Sequence, residues 1–225
     1  DEQNFRDDDR DGLVDEGYGH GTFVASLILG VAPDARILPF RVLDSDAIGN
    51  ASTIAAAITL AVDRGADVIN LSVSMEDRMK VIEDAVQSAR DRGVLVIASA
   101  GNTGRDDVNF PAAISTAFSV TAVGEDDVLA PFASYGSEVD LAAPGVDLLG
   151  AYPSETGTAT WSGTSFSAAI LSGGFALVRQ LHPGEDSLEI LRRLEDTAFD
   201  IRPLNPEVGS KVGEGRLDVN RATEP

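Results

Sequence analysis

Cysteine is absent from this 225-residue chain, which excludes disulfides and thiol chemistry outright. It leaves the compartment open, because a chain of this length buries enough core to do without bridges. Lysine is almost as scarce: Lys80 and Lys211 are the only two, and 17 basic residues face 37 acidic ones. The resulting formal charge of −20 makes nucleic acid a poor partner. Such a surface suits salty surroundings, where screening weakens self-repulsion; a genome that prefers arginine codons produces the same bias. Long apolar runs are missing as well. No segment approaches the roughly 18 uninterrupted apolar residues of a membrane span, and no basic-then-apolar leader opens the chain.

What is present is one globular domain's worth of core, 43% hydrophobic residues across positions 1–225, with strand-like and helix-like runs in alternation. Arg36–Leu43, Asp67–Val73, Val94–Ala98 and Phe118–Val123 read as strands. Ile54, Ile58, Ala61 and Val62 mark one helix face, and Val81, Ile82, Ala85, Val86 and Ala89 another that ends at Gly93. Thr164–Leu181 reads as a helix stopped by His182-Pro183-Gly184. Ser187–Ala198 reads as a second, entered through the capping-box pair Asp186 and Glu189. The pattern predicts an α/β fold, a parallel sheet with helices on both faces, and such sheets place ligands at the carboxyl ends of their strands.

Three short motifs carry chemistry. Gly19-His20-Gly21-Thr22 opens a helix with a stripe of Val24, Leu27 and Ile28. The glycines strip bulk from around an imidazole that a substrate must approach. Far downstream, Ser162-Gly163-Thr164-Ser165-Phe166-Ser167-Ala168-Ala169 puts Ser165 in the first turn of a helix. There its backbone N–H and the helix dipole face any negative oxygen formed on an attacked carbonyl. Between them, Ala98-Ser99-Ala100-Gly101-Asn102 runs a strand into an asparagine carboxamide. A lone Gly-Thr-Ser, a lone histidine or an Asn-Thr-Gly turn is ordinary structure. The three in this order are not.

The order and the motifs resemble those of the subtilisin-like serine proteases, whose triad runs Asp, His, Ser along the chain. Asn70-Leu71-Ser72 and Ala142-Ala143-Pro144-Gly145-Val146 extend the likeness, from about Gly12 to about Val219. The resemblance implies a serine endopeptidase in which Ser165 is the nucleophile, His20 the base and then acid, and Asn102 an oxyanion donor. It implies protein or peptide substrates, no cofactor for the chemistry, a secreted or cell-surface location and a pro-segment. Ser72, Val73 and Ser74, with Ser99, Ala100 and Gly101, would wall the pocket for the residue before the scissile bond, and Asn109 would line its base. Ser74-Met75 and Ala169-Ile170 depart from the family's usual Gly-Gly and Pro-His. The apolar lining suggests an apolar or aromatic preference. Gly163-Thr164-Ser165-Phe166-Ser167 lacks the second glycine of the α/β-hydrolase elbow.

The triad Asp is the part not found. In the family it ends a buried strand, yet residues 1–19 hold only Phe5, Leu13, Val14 and Tyr18 as large apolar members, too scattered for such a strand. The expectation is a sheet whose Asp-bearing N-terminal strand is missing, in a processed or truncated chain. Leu13-Val14-Asp15-Glu16-Gly17 is the one local imitation. Asp7, Asp9, Asp11 and Asp15, with Gly12 between, also have the spacing of a wrapped calcium loop, although Tyr18 stands where a bidentate Glu is needed. A solvated acidic segment explains the same residues. Two non-enzymatic readings therefore stand beside the protease: a non-catalytic domain that binds peptides in the same cleft, and a calcium-dependent structural module.

Overall fold

The computed structural model describes residues 3–7, 12–75 and 77–224. Among them, four parallel strands form one sheet in the order β1-β2-β3-β4: Val68–Leu71, Leu95–Ser99, Phe118–Val123 and Leu141–Pro144. A parallel sheet is buried on both faces, so its strands read as near-continuous apolar runs. Every residue of β2 and β3 is indeed buried. Helices α2 (Ala51–Asp63) and α3 (Lys80–Asp91) cover one face, with Ile58, Ile82 and Val86 against Val96 and Ala98. Helices α4 (Thr164–Leu181) and α5 (Ser187–Asp196) cover the other, with Leu171, Phe175 and Leu194 against Ile97, Val120 and Leu141. Helix α1 (His20–Val31) lies on α4, and a short α6 (Val219–Ala222) closes the chain.

Arg36–Leu43, whose apolar alternation suggests a strand, forms none; Leu43 makes an isolated bridge to Gly49. Phe40 and Val42 pack on the α2/α3 side of the core, while Ile37 and Leu38 stay exposed. Alternation fixes which residues face inward; a strand also needs a neighbour to complete a hydrogen-bonded ladder. Among the described residues β1 pairs with β2 alone, so its other edge is open.

An antiparallel hairpin that the sequence pattern did not announce follows β4. Strands β5 (Leu148–Ala151) and β6 (Thr158–Trp161) pair with Leu148 opposite Trp161. The hairpin lies over α1, where Gly150 is close enough to the Phe23 ring that a side chain there would collide with it. It brings Tyr152 and Trp161 to the start of α1, and with them the wall of the site.

Candidate active site

The carboxyl ends of β1, β2 and β4 and the amino ends of α1 and α4 meet at one place. Helix α4 is anchored there from several sides. Gly163 N–H donates to Gly145 O (2.8 Å), and Ser167 Oγ–H is shared between Ala143 O (3.0 Å) and Pro144 O (3.1 Å), which ties the first turn to the end of β4. Gly145 has to be glycine, since a Cβ would overlap the Ser167 hydroxyl and Ala122. Ser72 Oγ–H donates to the Ser165 carbonyl at 2.7 Å, holding the turn to the segment that leaves β1.

Asn102 stands beside this turn. Its Oδ1 accepts from Thr164 N–H (3.0 Å) and Thr164 Oγ1–H (2.9 Å). A backbone N–H can only donate, so the contact fixes which end of the carboxamide is oxygen. The Nδ2 end is left to donate into the space in front of the first turn of α4, 3.7 Å from where a Gly163 Cβ would stand. Thr164 was visible in the motif, but its part in aiming Asn102 depends on a contact across 62 residues.

His20 is the first residue of α1. Gly19, the cap before it, has φ of 80°, and a side chain there would run into the Tyr152 ring. The imidazole is half-buried between Trp161 (ring centroids 5.9 Å apart, planes at 87°) and Phe166 (5.7 Å, 40°). Desolvation by these neighbours lowers its pKa below the ordinary histidine value. Phe166 lies in the first turn of α4, so the stacking brings the imidazole to the start of that helix, beside Ser165 in sequence. No hydrogen bond joins the two in this structure. Apo sites often have such bonds long, to be tightened by substrate.

The predicted cleft walls are also brought together. Asn109 N–H donates to Ala100 O (2.8 Å), its side chain lies against Gly101, and the next residue, Phe110, exchanges two backbone hydrogen bonds with Met75 (2.8 and 3.1 Å). Ser72, Val73 and Ser74 on one side and Ser99, Ala100 and Gly101 on the other are thereby joined through Asn109 and Phe110.

Asp15 is not the partner of His20. Its Oδ1 and Oδ2 accept from the backbone N–H of Asn4 (3.0 Å) and Phe5 (2.9 Å), and its own N–H donates to buried Asp46 (2.8 Å). Burial works to raise its pKa, but these amides and the neighbouring Ser45 hydroxyl outweigh it and hold the carboxyl below the usual range. Among the described residues the His20 ring has no hydrogen-bonding carboxylate. Asp7 accepts from Gly12 N–H (3.1 Å). Asp9 and Asp11 lie outside the described residues, and among the described ones no three acidic or histidine side chains converge to hold a metal.

A parallel sheet that presents a serine at one helix start, a histidine at another and an aimed carboxamide between them defines a class: peptidases that attack a carbonyl with a serine hydroxyl. The chain belongs to the subtilase family, whose model matches residues 1–220. Subtilisin BL of Lederbergia lenta is 36% identical over 217 residues, which span 92% of this chain and 78% of that protein. Halolysin of Haloferax mediterranei is 38% identical over 240 aligned positions, 99% of this chain and 44% of the halolysin. Among solved structures, the patellamide maturation protease PatA superposes with a TM-score of 0.82 at 33% identity, over 91% of this chain and 82% of that one. The protein is thus a hydrolase of the serine endopeptidase class, in which catalysis needs no cofactor. No described helix is long and apolar enough to cross a membrane.

Proposed function

We propose that Ser165 is the nucleophile of this endopeptidase, His20 its general base and then acid, and the Asn102 carboxamide with the Ser165 N–H its oxyanion hole. The observation that carries the reading is Thr164's grip on Asn102 Oδ1, which leaves only a donor facing the nucleophile turn. In the first step the Ser165 oxygen bonds to the substrate carbonyl carbon as its proton passes to His20. The carbonyl oxygen takes the negative charge between the two donors. His20 then returns the proton to the leaving amine, and water releases the acyl group by the same route. The substrate is an extended peptide lying between Ser72–Ser74 and Ser99–Gly101 with one side chain toward Asn109, and the enzyme works outside the cell or at its surface.

Turnover by residues 1–225 alone is low in this reading, because His20 has no orienting carboxylate among the described residues. In subtilisin itself, loss of the triad Asp costs about 3 × 10⁴-fold in kcat, about 6 kcal/mol of transition-state stabilisation. A serine-directed phosphonate tests the site without requiring turnover. One equivalent should attach at Ser165 and none in Ser165→Ala; absence of labelling in the parent chain would favour a non-catalytic peptide-binding domain. Peptide hydrolysis should rise when a strand bearing an Asp is fused before residue 1. Full activity without it would show that this chain already supplies the carboxylate.

A further inference from the structure

The β5–β6 hairpin is built around the histidine in a way that neither the sequence motifs nor the triad logic requires. A continuous file of rings runs through it. Tyr18 meets Tyr152 edge-on (6.0 Å, 88°), Tyr152 meets Trp161 (6.3 Å, 76°), and Trp161 meets His20 edge-on (5.9 Å, 87°). From the other side Phe166 packs on both Trp161 (5.4 Å) and His20 (5.7 Å), and Phe23 fills the space beneath (4.6 Å from Phe166, 5.8 Å from Trp161). Tyr152 fits against Gly19, so the hairpin fixes the backbone that launches the imidazole as well as its ring. Phe23 is fully buried and Phe166 nearly so, which makes them rigid backing. Trp161 is half-buried and meets the ring edge-on.

We propose that Trp161 is a positioning residue for the His20 imidazole: its indole, held by Tyr152 and Phe166, sets the ring's tilt and keeps water from it. The proposal rests on the assignment of His20 as the base. An imidazole, free to turn about Cα–Cβ and Cβ–Cγ, is normally oriented by a hydrogen bond to its second nitrogen. Here, among the described residues, the lateral restraints on it are aromatic. Edge-to-face pairs at these separations are directional, so the contact selects an orientation as well as excluding solvent.

The chemical consequence is on protonation. A desolvated imidazole disfavours its charged form, so the base stays neutral to lower pH and the acid limb of the rate profile extends downward. The titratable groups on the packed elements are Asp15, Glu16 and Tyr18 in the loop before α1, and Asp147, Tyr152 and Glu155 around the hairpin; α4 and the rest of α1 bring none near their first turns. The downward displacement of His20 is attributable to burial alone. Removing the indole should therefore let water in and move the midpoint back up.

The test is an NMR titration of the imidazole Cε1–H signals, made in Ser165→Ala chains so that self-cleavage cannot intervene. The protein has two histidines, His20 and His182, and a His182→Gln variant assigns the pair. Trp161→Ala should raise the His20 midpoint and leave that of His182 in place, with Trp161→Phe between parent and alanine. If the alanine variant does not fold, the phenylalanine variant carries the measurement. In chains with Ser165 intact and hydrolysis measurable, kcat should fall by roughly 10–100-fold with KM little changed, and the acid limb should move up with the NMR midpoint. An unmoved His20 midpoint in both variants overturns the proposal, even if activity falls, because Trp161 would then act on substrate. A raised midpoint in a protein that never labels or hydrolyses would uphold the contact and remove the catalytic assignment on which it was placed.

Discussion

Asp140 offers a stability test whose sign and size both follow from its surroundings. It stands just before β4, where Oδ2 accepts Ser119 N–H (2.7 Å), its own N–H donates to Ser119 O (3.0 Å), and its carbonyl receives Glu214 N–H (2.9 Å). Burial pushes the carboxyl up from 3.8 to about 6, against the Ser119 amide and the Arg90 guanidinium. Nearby Glu195 is pushed from 4.5 to about 7, by burial first and then by the charges of Asp140, Glu214 and Asp196. A raised acid binds its proton more tightly folded than unfolded, so stability falls as pH rises through the interval between the two values. For Asp140 the interval is about two units, worth about 3 kcal/mol above pH 7. Glu195 is only partly buried, so solvent screens it and its share is smaller. Asp140→Asn removes the charge and keeps an oxygen for Ser119 N–H, so the variant should be more stable than the parent by about 2–3 kcal/mol at pH 8. The gain should shrink to about half at pH 5 as the parent carboxyl protonates. Urea unfolding at the two pH values reads this as a shift in midpoint at constant slope. A variant equal to or weaker than the parent at pH 8 would refute the argument that this carboxylate is held charged at a cost.

Asn102→Asp keeps an oxygen for Thr164 and loses the donor, so the melting temperature should hold while phosphonate labelling of Ser165 slows by about 10²–10³-fold, the range found for this donor in a subtilisin. Asn102→Ala should slow labelling as much and also cost about 1–2 kcal/mol of stability, through the two lost hydrogen bonds; equal melting for all three proteins would separate Asn102 from the anchoring of α4. Gly19→Ala forces a side chain into φ of 80° and against Tyr152, so a loss of about 1–3 kcal/mol is expected by calorimetry, and a neutral result would mean the hairpin is not seated there. Raising NaCl from 0.1 to 2 M should raise the melting temperature, because a net charge of −20 repels itself and the added salt shortens the screening length several-fold; a flat response would assign the acidic bias to composition alone.

The sequence shows those parts that local physics determines. Helices α2 to α5 follow from apolar periodicity and, for α5, from the Asp186/Glu189 box, whose reciprocal bonds are present. Strand β2 follows from the apolar run Leu95–Ala98, and β3 from Phe118, Val120, Ala122 and Val123 with Ser119 and Thr121 between them. Arg36–Leu43 misleads because its alternation reports burial on one side, whereas a strand depends on what lies beside it. β4 is one leucine followed by Ala142, Ala143 and Pro144, recognisable as a motif but too short to read as a strand. The hairpin is invisible because β6, Thr158–Trp161, carries little apolar signal before its tryptophan. The site divides the same way. His20, Ser165 and Asn102 sit in motifs that must keep their local geometry. Thr164, Trp161 and Asn70 matter through partners that only the tertiary fold brings near.

Asn70 shows how such a partner can be tested. The Ser165 carbonyl can only accept, so Ser72 must spend its single proton on it at 2.7 Å. Ser72 Oγ must then be the acceptor in its 2.9 Å contact with Asn70, which turns Nδ2 toward it. Asn70 Oδ1 is left facing Ser172, whose hydroxyl donates at 3.1 Å. Every direction in the chain from Ser172 through Asn70 and Ser72 to the nucleophile turn is thus forced by one carbonyl. Asn70 also lies on β1, the strand whose outer edge is open among the described residues, so the support of Ser165 runs through the least buttressed strand of the sheet. Asn70→Asp preserves shape and removes the donor. Ser72 must then choose between the new carboxylate and Ser165, and the charge-assisted bond is the stronger. The nucleophile turn should lose its tether, and phosphonate labelling should slow by roughly tenfold, about 1.4 kcal/mol, with a smaller effect from Ser172→Ala. Labelling at the parental rate in Asn70→Asp would show that β4 and Thr164 hold Ser165 without help from β1.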